Sequence, residues 1–206
     1  MDFAELQQRF DVPEDTRLFV FDVGKVLVNI NVMKSAQEIA KACSAAVTAE
    51  FVKYHLFYSD LNQQVMIGKI TSQEFYQAMT KKLMMRLDYE QFKLFFQDIF
   101  TDLNEEVVEL ICHLMINSRT LAILSNATKL QYEYLESRLS WLARLRENTF
   151  LSYELHVLKP DPHIYVEVEK RFGIDPKHIF FLDDNQGNVI QAKKRGWQAR
   201  LYQPQV

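Results

Sequence analysis

From Asn104 onward, short apolar runs alternate with stretches of helical period, and this constrains the fold of the chain more than any other feature. Residues 120–124, 149–152, 178–182 and 197–201 read as strands: apolar, rich in β-branched or aromatic residues and bounded by polar ones. Between them lie helical patterns. Asn104 is predicted to cap a helix carrying Glu105 and Glu106 in its first turn and Val107, Leu110, Ile111, Leu114 and Met115 on one face. A second helix is expected over 128–139. A third, over 161–173, has Pro162 in its first turn, Ile164, Tyr165, Val168 and Phe172 on its apolar face and Gly173 as its stop. The last runs to about Arg195, with Lys193 and Lys194 in its final turn and Gly196 past its end. Strands separated by helices must be joined by crossovers, which predicts an α/β fold with a mainly parallel sheet.

The first half supplies one more strand and an insertion. Phe3, Leu6 and Phe10 share a helical face that ends before Pro13. Residues 17–22 form a buried strand in which Leu18-Phe19-Val20-Phe21 stops at Asp22. Residues 33–102 read as helices only. Thr71 and Glu74 have the spacing of a capping box, opening a helix with Phe75, Ala78, Met79 and Leu83 on one face. The aromatics of 89–100 recur at helical spacing and are read as packing between helices. The expected division is therefore a core of 1–32 and 103–206 with a helical insertion at 33–102. The apolar LSWLARL segment, 139–145, is expected to pack on the core.

The bulk properties exclude several classes. With 206 residues, 48% apolar, 25% charged and a net charge of −3, the chain reads as a soluble globular protein without a nucleic-acid footprint. No basic run marks a membrane patch, and no apolar stretch is long enough to span a bilayer. The start, MDFAELQQRF, has no apolar signal core. Cys43 and Cys112 lie far apart, outside metal-ligand spacing, and are expected as buried, reduced thiols of a cytoplasmic protein.

In such sheets ligands bind beyond the carboxyl ends of the strands. Asp22 follows the first strand, Ser125 and Asn126 the strand at 120–124, and Asp183 and Asp184 the strand at 178–182. Lys159, in LKPDP, precedes the 161–173 helix. Each alone is an ordinary turn or cap residue. Together they form a set that phosphoryl transfer explains. A carboxylate, Asp22, can attack phosphorus and form an aspartyl-phosphate. The repulsion between carboxylate and phosphate must be offset by cations. Mg²⁺ held by Asp22 and Asp183 supplies one, and Lys159 another, while Ser125 and backbone N–H groups donate to phosphate oxygens.

This pattern resembles the haloacid dehalogenase superfamily over residues 17–202. Its four motifs, a strand-terminal Asp, a Ser or Thr, a Lys and an acidic pair, match Asp22, Ser125, Lys159 and Asp183-Asp184. The stretch FFLDDNQGNVIQAKKRGW is similar to the subgroup that removes phosphate from small metabolites, and the helical insertion to that subgroup's cap. The resemblance implies a three-layer, Rossmann-like parallel-sheet core with a small helical cap after the first strand. It also implies a Mg²⁺-dependent phosphatase in which Ser125, Asn126 and Lys159 hold the phosphoryl group and the Gly24 carbonyl joins Asp22 and Asp183 at the metal, supported by Asp184. The branch it looks most like contains bacterial α-D-glucose-1-phosphate phosphatase, with the amino-terminal domain of soluble epoxide hydrolase more distant.

The chain departs from the family at Gly24, where most phosphatases of the superfamily carry an acid/base Asp worth roughly 10²–10⁴-fold in rate. Three readings fit. The substrate's leaving group needs little protonation, as in a sugar 1-phosphate, or water or a residue of the helical insertion, His55 or Asp60, substitutes, although either residue reads first as a surface position on a helix. The protein is a haloacid dehalogenase, since halide needs no proton, although those enzymes need no metal and lack the acidic pair. Or catalysis is lost and a binding function remains. Lys25 follows the gap as a solvated residue or a contact for an anionic substrate. Neither the physiological substrate nor the oligomeric state is readable in the sequence.

Overall fold

The computed structural model describes residues 2–203. In chain order, α1 (Phe3–Arg9) leads into β1 (Leu18–Phe21), and a tight loop connects it to β2 (Val28–Ile30). Five helices follow: α2 (Val32–Lys41), α3 (Ala49–Phe57), α4 (Asp60–Met66), α5 (Ser72–Leu83) and α6 (Tyr89–Gln97). Then come β3 (Phe100–Leu103), α7 (Glu105–Ile116), β4 (Thr120–Ser125), α8 (Lys129–Arg138), α9 (Ser140–Ala143), β5 (Thr149–Leu151) and α10 (Ser152–Leu155). The chain closes with α11 (Pro162–Phe172), β6 (Ile179–Asp183), α12 (Gln186–Lys194) and β7 (Gln198–Leu201).

The central sheet is parallel and five-stranded, in the order β5-β4-β1-β6-β7. Its three central strands, β4, β1 and β6, are apolar along almost their whole length because both faces are covered, whereas the edge strand β7 carries Gln198 and Arg200. Side chains alternate across a strand, so Phe19 and Phe21, Leu121 and Ile123, and Phe180 and Leu182 face one way, onto Leu6 of α1, Val107, Leu110, Ile111 and Leu114 of α7, and Tyr132 and Leu135 of α8. Leu18 and Val20, Ala122 and Leu124, and Ile179 and Phe181 face the other way, onto Ile164, Tyr165 and Val168 of α11 and Val189 and Ala192 of α12. The α/β, three-layer expectation matches this architecture. Of the 139–145 segment, Leu142 and Leu145 are buried in the first cluster, with Leu139 and Trp141 packed against it.

The helices between β2 and β3 bury a cluster of their own, including Ile39, Leu56, Phe75, Met79, Leu83, Phe92 and Phe96. Phe92 and Phe96 stack at 5.2 Å, and Phe57 stacks on Phe96 at 5.5 Å. The Thr71–Glu74 capping box is present, with the Thr71 hydroxyl accepting from the Glu74 N–H and the Glu74 carboxylate accepting from the Thr71 N–H.

Three expectations need correction. Residues 33–102 are not helical throughout. The chain leaves and re-enters the core side by side, and Phe100–Leu103 pairs antiparallel with Val28–Ile30. Phe100, at helical spacing in the sequence, instead stacks on Tyr134. Asn104 stands at the N-cap of α7 but makes no side-chain cap bond; its amide donates to the carbonyls of Lys25 (3.1 Å) and Val26 (2.7 Å). Cys112 is exposed and Cys43 half-buried, because position 112 falls on the outward face of α7 with Glu105 and Ile116.

The helical layer is pinned to the core at α4. Ser152, fully buried, donates to the Met66 carbonyl (2.7 Å) and accepts from the Ala127 N–H (3.0 Å). His156 Nδ1 lies 2.9 Å from the Ile67 carbonyl. Gly68 has φ +64, and an added Cβ would lie 2.3 Å from the Tyr153 carbonyl oxygen, so only glycine fits there. A second contact joins α6 to α8, where Leu130 enters the helical cluster and the Gln97 amide donates to the Leu130 carbonyl. Ser152→Ala should cost about 1–3 kcal/mol in urea unfolding, because it leaves the buried Ala127 N–H and Met66 carbonyl without that partner.

Candidate active site

The parallel sheet carries its carboxyl ends to one edge. Asp22 follows β1, its N–H donating to the Leu182 carbonyl of β6. The loop after it is wound tightly: the N–H groups of Leu27 and Val28 both reach the Val23 carbonyl, and Lys25 takes φ 61. Asp183 is the last residue of β6 and Asp184 follows it. Asn185 caps α12, its side chain accepting from the N–H groups of Gly187 and Asn188. Lys159 comes from the loop before α11, with a cis peptide to Pro160. Ser125 closes β4, and Asn126 follows.

The ammonium of Lys159 is at the centre. It lies 2.8 Å from Asp22 Oδ1, 2.7 Å from Asp183 Oδ2 and 2.8 Å from the Leu124 carbonyl oxygen, so all three of its donors are placed. The Lys159 side chain is 1% exposed, that of Asp183 0% and that of Asp22 11%. Burial alone would push the Lys159 ammonium down, but Asp22 and Asp183 together hold it above the ordinary lysine range. Burial pushes the Asp22 carboxyl up, Lys159 pulls it back and Asp183 pushes it up again, leaving it at about 7.

The two acids of the pair differ. Both oxygens of Asp183 are occupied within the protein. Oδ1 accepts from the Asn185 N–H (2.8 Å) and the Asn188 amide (3.0 Å), and Oδ2 from Lys159 and again from Asn188 (3.0 Å). Asp184 is half-buried and lies 3.6 Å from the Lys25 ammonium. Burial and then Asp183 push its carboxyl above the usual range. One oxygen from each of Asp22, Asp183 and Asp184 lies within 4.8 Å of the others. Hard oxygen donors so placed suit Mg²⁺, which is held by carboxylates and keeps several waters.

The remaining residues fall around this centre. Asn126 is tied to Lys159 in both directions, its amide donating to the Lys159 carbonyl (2.9 Å) and its Oδ1 accepting from the Lys159 N–H (2.8 Å). Its side chain therefore holds Lys159 in place. Ser125, buried, lines a small cavity with Gly24 and Asn126. Lys159, Asn126 and Asn185 also border an open cleft of about 800 Å³, lined on its other side by Phe57, Tyr58, Asn62, Gln63 and Met66 of the helical layer. His55 and Asp60 line neither space. His55 is buried rather than on the surface, its ring against Phe51 and Tyr54, and burial followed by Lys82 pushes it below the ordinary histidine value. Asp60 is exposed, in the first turn of α4.

Three contributors were not singled out from the sequence. Asn188 lies five residues past Asp183, on the inner face of the first turns of α12; that spacing was the available signal. Asn104 and Ile30, which packs over Gly24, had none.

A carboxylate, a buried lysine and an acidic pair thus stand together at the carboxyl edge of a parallel sheet, under a helical layer. The chain belongs to the haloacid dehalogenase-like hydrolase family, whose model matches residues 16–195. The D-ribitol-5-phosphate phosphatase of Bacteroides thetaiotaomicron is 26% identical over 191 residues, covering 90% of each chain. The crystal structure of a HAD-family enzyme from the same organism superposes with a TM-score of 0.80 at 22% identity, covering 92% of this chain and 94% of that one. A HAD-family structure from that organism in complex with magnesium and inorganic phosphate gives a TM-score of 0.78 at 21% identity, covering 92% and 95%. At these identities the structures show a shared fold.

Lys159→Met should destabilise the protein by about 3–5 kcal/mol near neutral pH, because it leaves two buried carboxylates facing each other. Urea titrations over a pH range should show the loss shrinking towards acid pH, as one of the carboxyls takes up a proton. For the wild-type protein without metal the sign follows from Asp22. Its folded value, about 7, lies above the ordinary 3.8. Its contribution is thus present below about 4 and lost as pH rises towards 7.

Proposed function

We propose that this protein is a cytoplasmic, Mg²⁺-dependent phosphatase of a small phosphorylated metabolite, acting through an aspartyl-phosphate on Asp22. The observation that carries this reading is the Lys159 ammonium between Asp22 and Asp183 with Asp184 alongside. It is a nucleophile with fixed positive charge beside it and a carboxylate set fit for a hard cation. The phosphatase named among the relatives supports it.

In this reading Asp22 attacks phosphorus with one carboxylate oxygen. Lys159 offsets the charge between that carboxylate and the incoming phosphate, and Asp183, Asn126 and the Leu124 carbonyl keep it there. Ser125 donates to a phosphate oxygen. Asp22, Asp184 and the Gly24 carbonyl would hold the metal, with Asp183 supporting them, because the oxygens of Asp183 are already taken by Lys159, Asn185 and Asn188. When bound, Mg²⁺ neutralises phosphate charge as the new bond forms. Residues 33–102 act as a cap that closes the cleft over the substrate. The narrower likeness to the α-D-glucose-1-phosphate phosphatase branch belongs to this proposal and rests on Asp22-Val23-Gly24. A dehalogenase, or a protein without metal-dependent chemistry, would still use Asp183 to fix Lys159 but would leave Asp184 without a role.

Phosphate release from a panel of sugar and other small-metabolite phosphates should require Mg²⁺, stop with EDTA and vanish in Asp22→Asn. No release from any member would sink the proposal. Mg²⁺ should also raise the melting temperature, and by more at pH 8 than at pH 5.5, since the ion competes with protons for Asp22. A shift independent of pH, or none, would remove Asp22 from the metal set.

A further inference from the structure

The cleft beside Lys159 is walled on one side by α4 and the turn before it, and one amide in that wall is fixed in place. Asn62 is 6% exposed. Its Nδ2 donates to the Phe57 carbonyl (3.0 Å) and to Met66 Sδ (3.1 Å). The carbonyl settles which way the amide faces, since the reversed amide would set two acceptor oxygens against each other. The backbone is held as well. The Asn62 N–H donates to Ser59 Oγ (3.3 Å), and the Ser59 hydroxyl donates to the His55 carbonyl (2.6 Å). The far end of the same helix is tied to the core, where the Met66 carbonyl accepts from Ser152.

With Nδ2 occupied, Oδ1 is the open end of the amide. Among the described residues nothing donates to Oδ1, and it is not one of the side-chain oxygens sealed in the interior without a partner. Asn62 borders the cleft, so the cleft is where Oδ1 can meet a donor. An acceptor left unmet in a nearly buried residue carries a desolvation cost, and one already fixed loses little entropy when a donor arrives.

The charges around the cleft limit what can lie in it. Its ionisable lining groups are Tyr58, Lys159 and Asp161. Lys159 has its donors placed on Asp22, Asp183 and Leu124. Asp161 accepts from the His163 N–H (2.9 Å) and stands 2.7 Å from the His163 Nδ1, contacts that hold its carboxyl below the usual range. Gln63, Asn126 and Asn185 are neutral amides. Among the described residues that line it, the cleft therefore offers a fixed acceptor and a carboxylate, and no cation beyond the one already shared by Asp22 and Asp183.

We propose that Asn62 is a specificity-determining residue: its Oδ1 accepts a hydrogen bond from a hydroxyl or ammonium group on the non-reacting part of the substrate, and the cleft selects against phosphates that carry a second anion. This rests on the phosphatase reading above. Asn62 takes no part in the phosphoryl step and acts through binding alone.

The test uses alkyl phosphates of stepped chain length that end in methyl, hydroxyl, ammonium or carboxylate. Each is measured as a competitor of nitrophenyl phosphate hydrolysis by this chain with Mg²⁺. At the best length the hydroxyl member should show a Ki roughly tenfold lower than the methyl member, the worth of one hydrogen bond. The carboxylate member should bind no better than the methyl one. In Asn62→Ala the hydroxyl-to-methyl ratio should fall to about one, and Asn62→Asp should move the preference to the ammonium member. A merely structural Asn62 would weaken all members alike and leave the ratios unchanged. Melting curves check that the variants fold, and the wild-type ratios decide the matter if one does not. Equal Ki values for methyl and hydroxyl at every length, tightest binding by the carboxylate member, or a ratio that survives Asn62→Ala in a folded variant overturns the inference, while nitrophenyl phosphate hydrolysis keeps the phosphatase reading in place. No hydrolysis of nitrophenyl phosphate or of acetyl phosphate overturns that reading, and the inference with it.

Discussion

A buried ammonium shared by two carboxylates is the interaction on which the rest of the site depends. Removing three charges from water is costly, and the cost is met only when every lone pair and donor finds a partner. Lys159 meets that condition with Asp22, Asp183 and the Leu124 carbonyl, and Asp183 meets it with Lys159, Asn185 and Asn188. The partners come from β1, β4, β6, α12 and the loop before α11. The sheet edge, the start of α12 and the Asn126–Lys159 clamp are thus parts of one polar network, and a change in any of them reaches Asp22.

The same network separates two tasks that a sequence motif runs together. Adjacent acids, Asp183 and Asp184, look equivalent on paper. At the end of a strand successive side chains turn to opposite sides, so one is buried against Lys159 and the other stays half-open beside Lys25. One acid fixes the lysine. The other faces Lys25 and the open side of the site.

How much was legible follows from the distance over which each signal acts. Asp22, Ser125, Lys159 and Asp183 could be placed together because each stands at the end of a local apolar run, or just before a helix with a clear start, and a parallel sheet aligns such ends. The faces of α7 and α11 follow from their own period. The β2–β3 pair was missed because it joins segments some seventy residues apart, and each strand is too short to carry a period. Asn104 looked like a helix cap because the local pattern is that of one; its amide is claimed by carbonyls far back in the chain. His55 appeared to be a surface residue because α3 has aromatics on several sides, and only the packing of the helical layer shows which of them turn inward.

Asn104 stands between the strand that brings the chain back from the helical layer and the helix that begins the rest of the core. Its amide grips the loop that carries Gly24 and Lys25, and its backbone N–H reaches Leu27 in the same loop. The covering layer and the floor of the site are therefore geared together. Any displacement of β3 would act within one residue on the carbonyls of Lys25 and Val26, so a shift of the helices would also loosen the loop that follows Asp22.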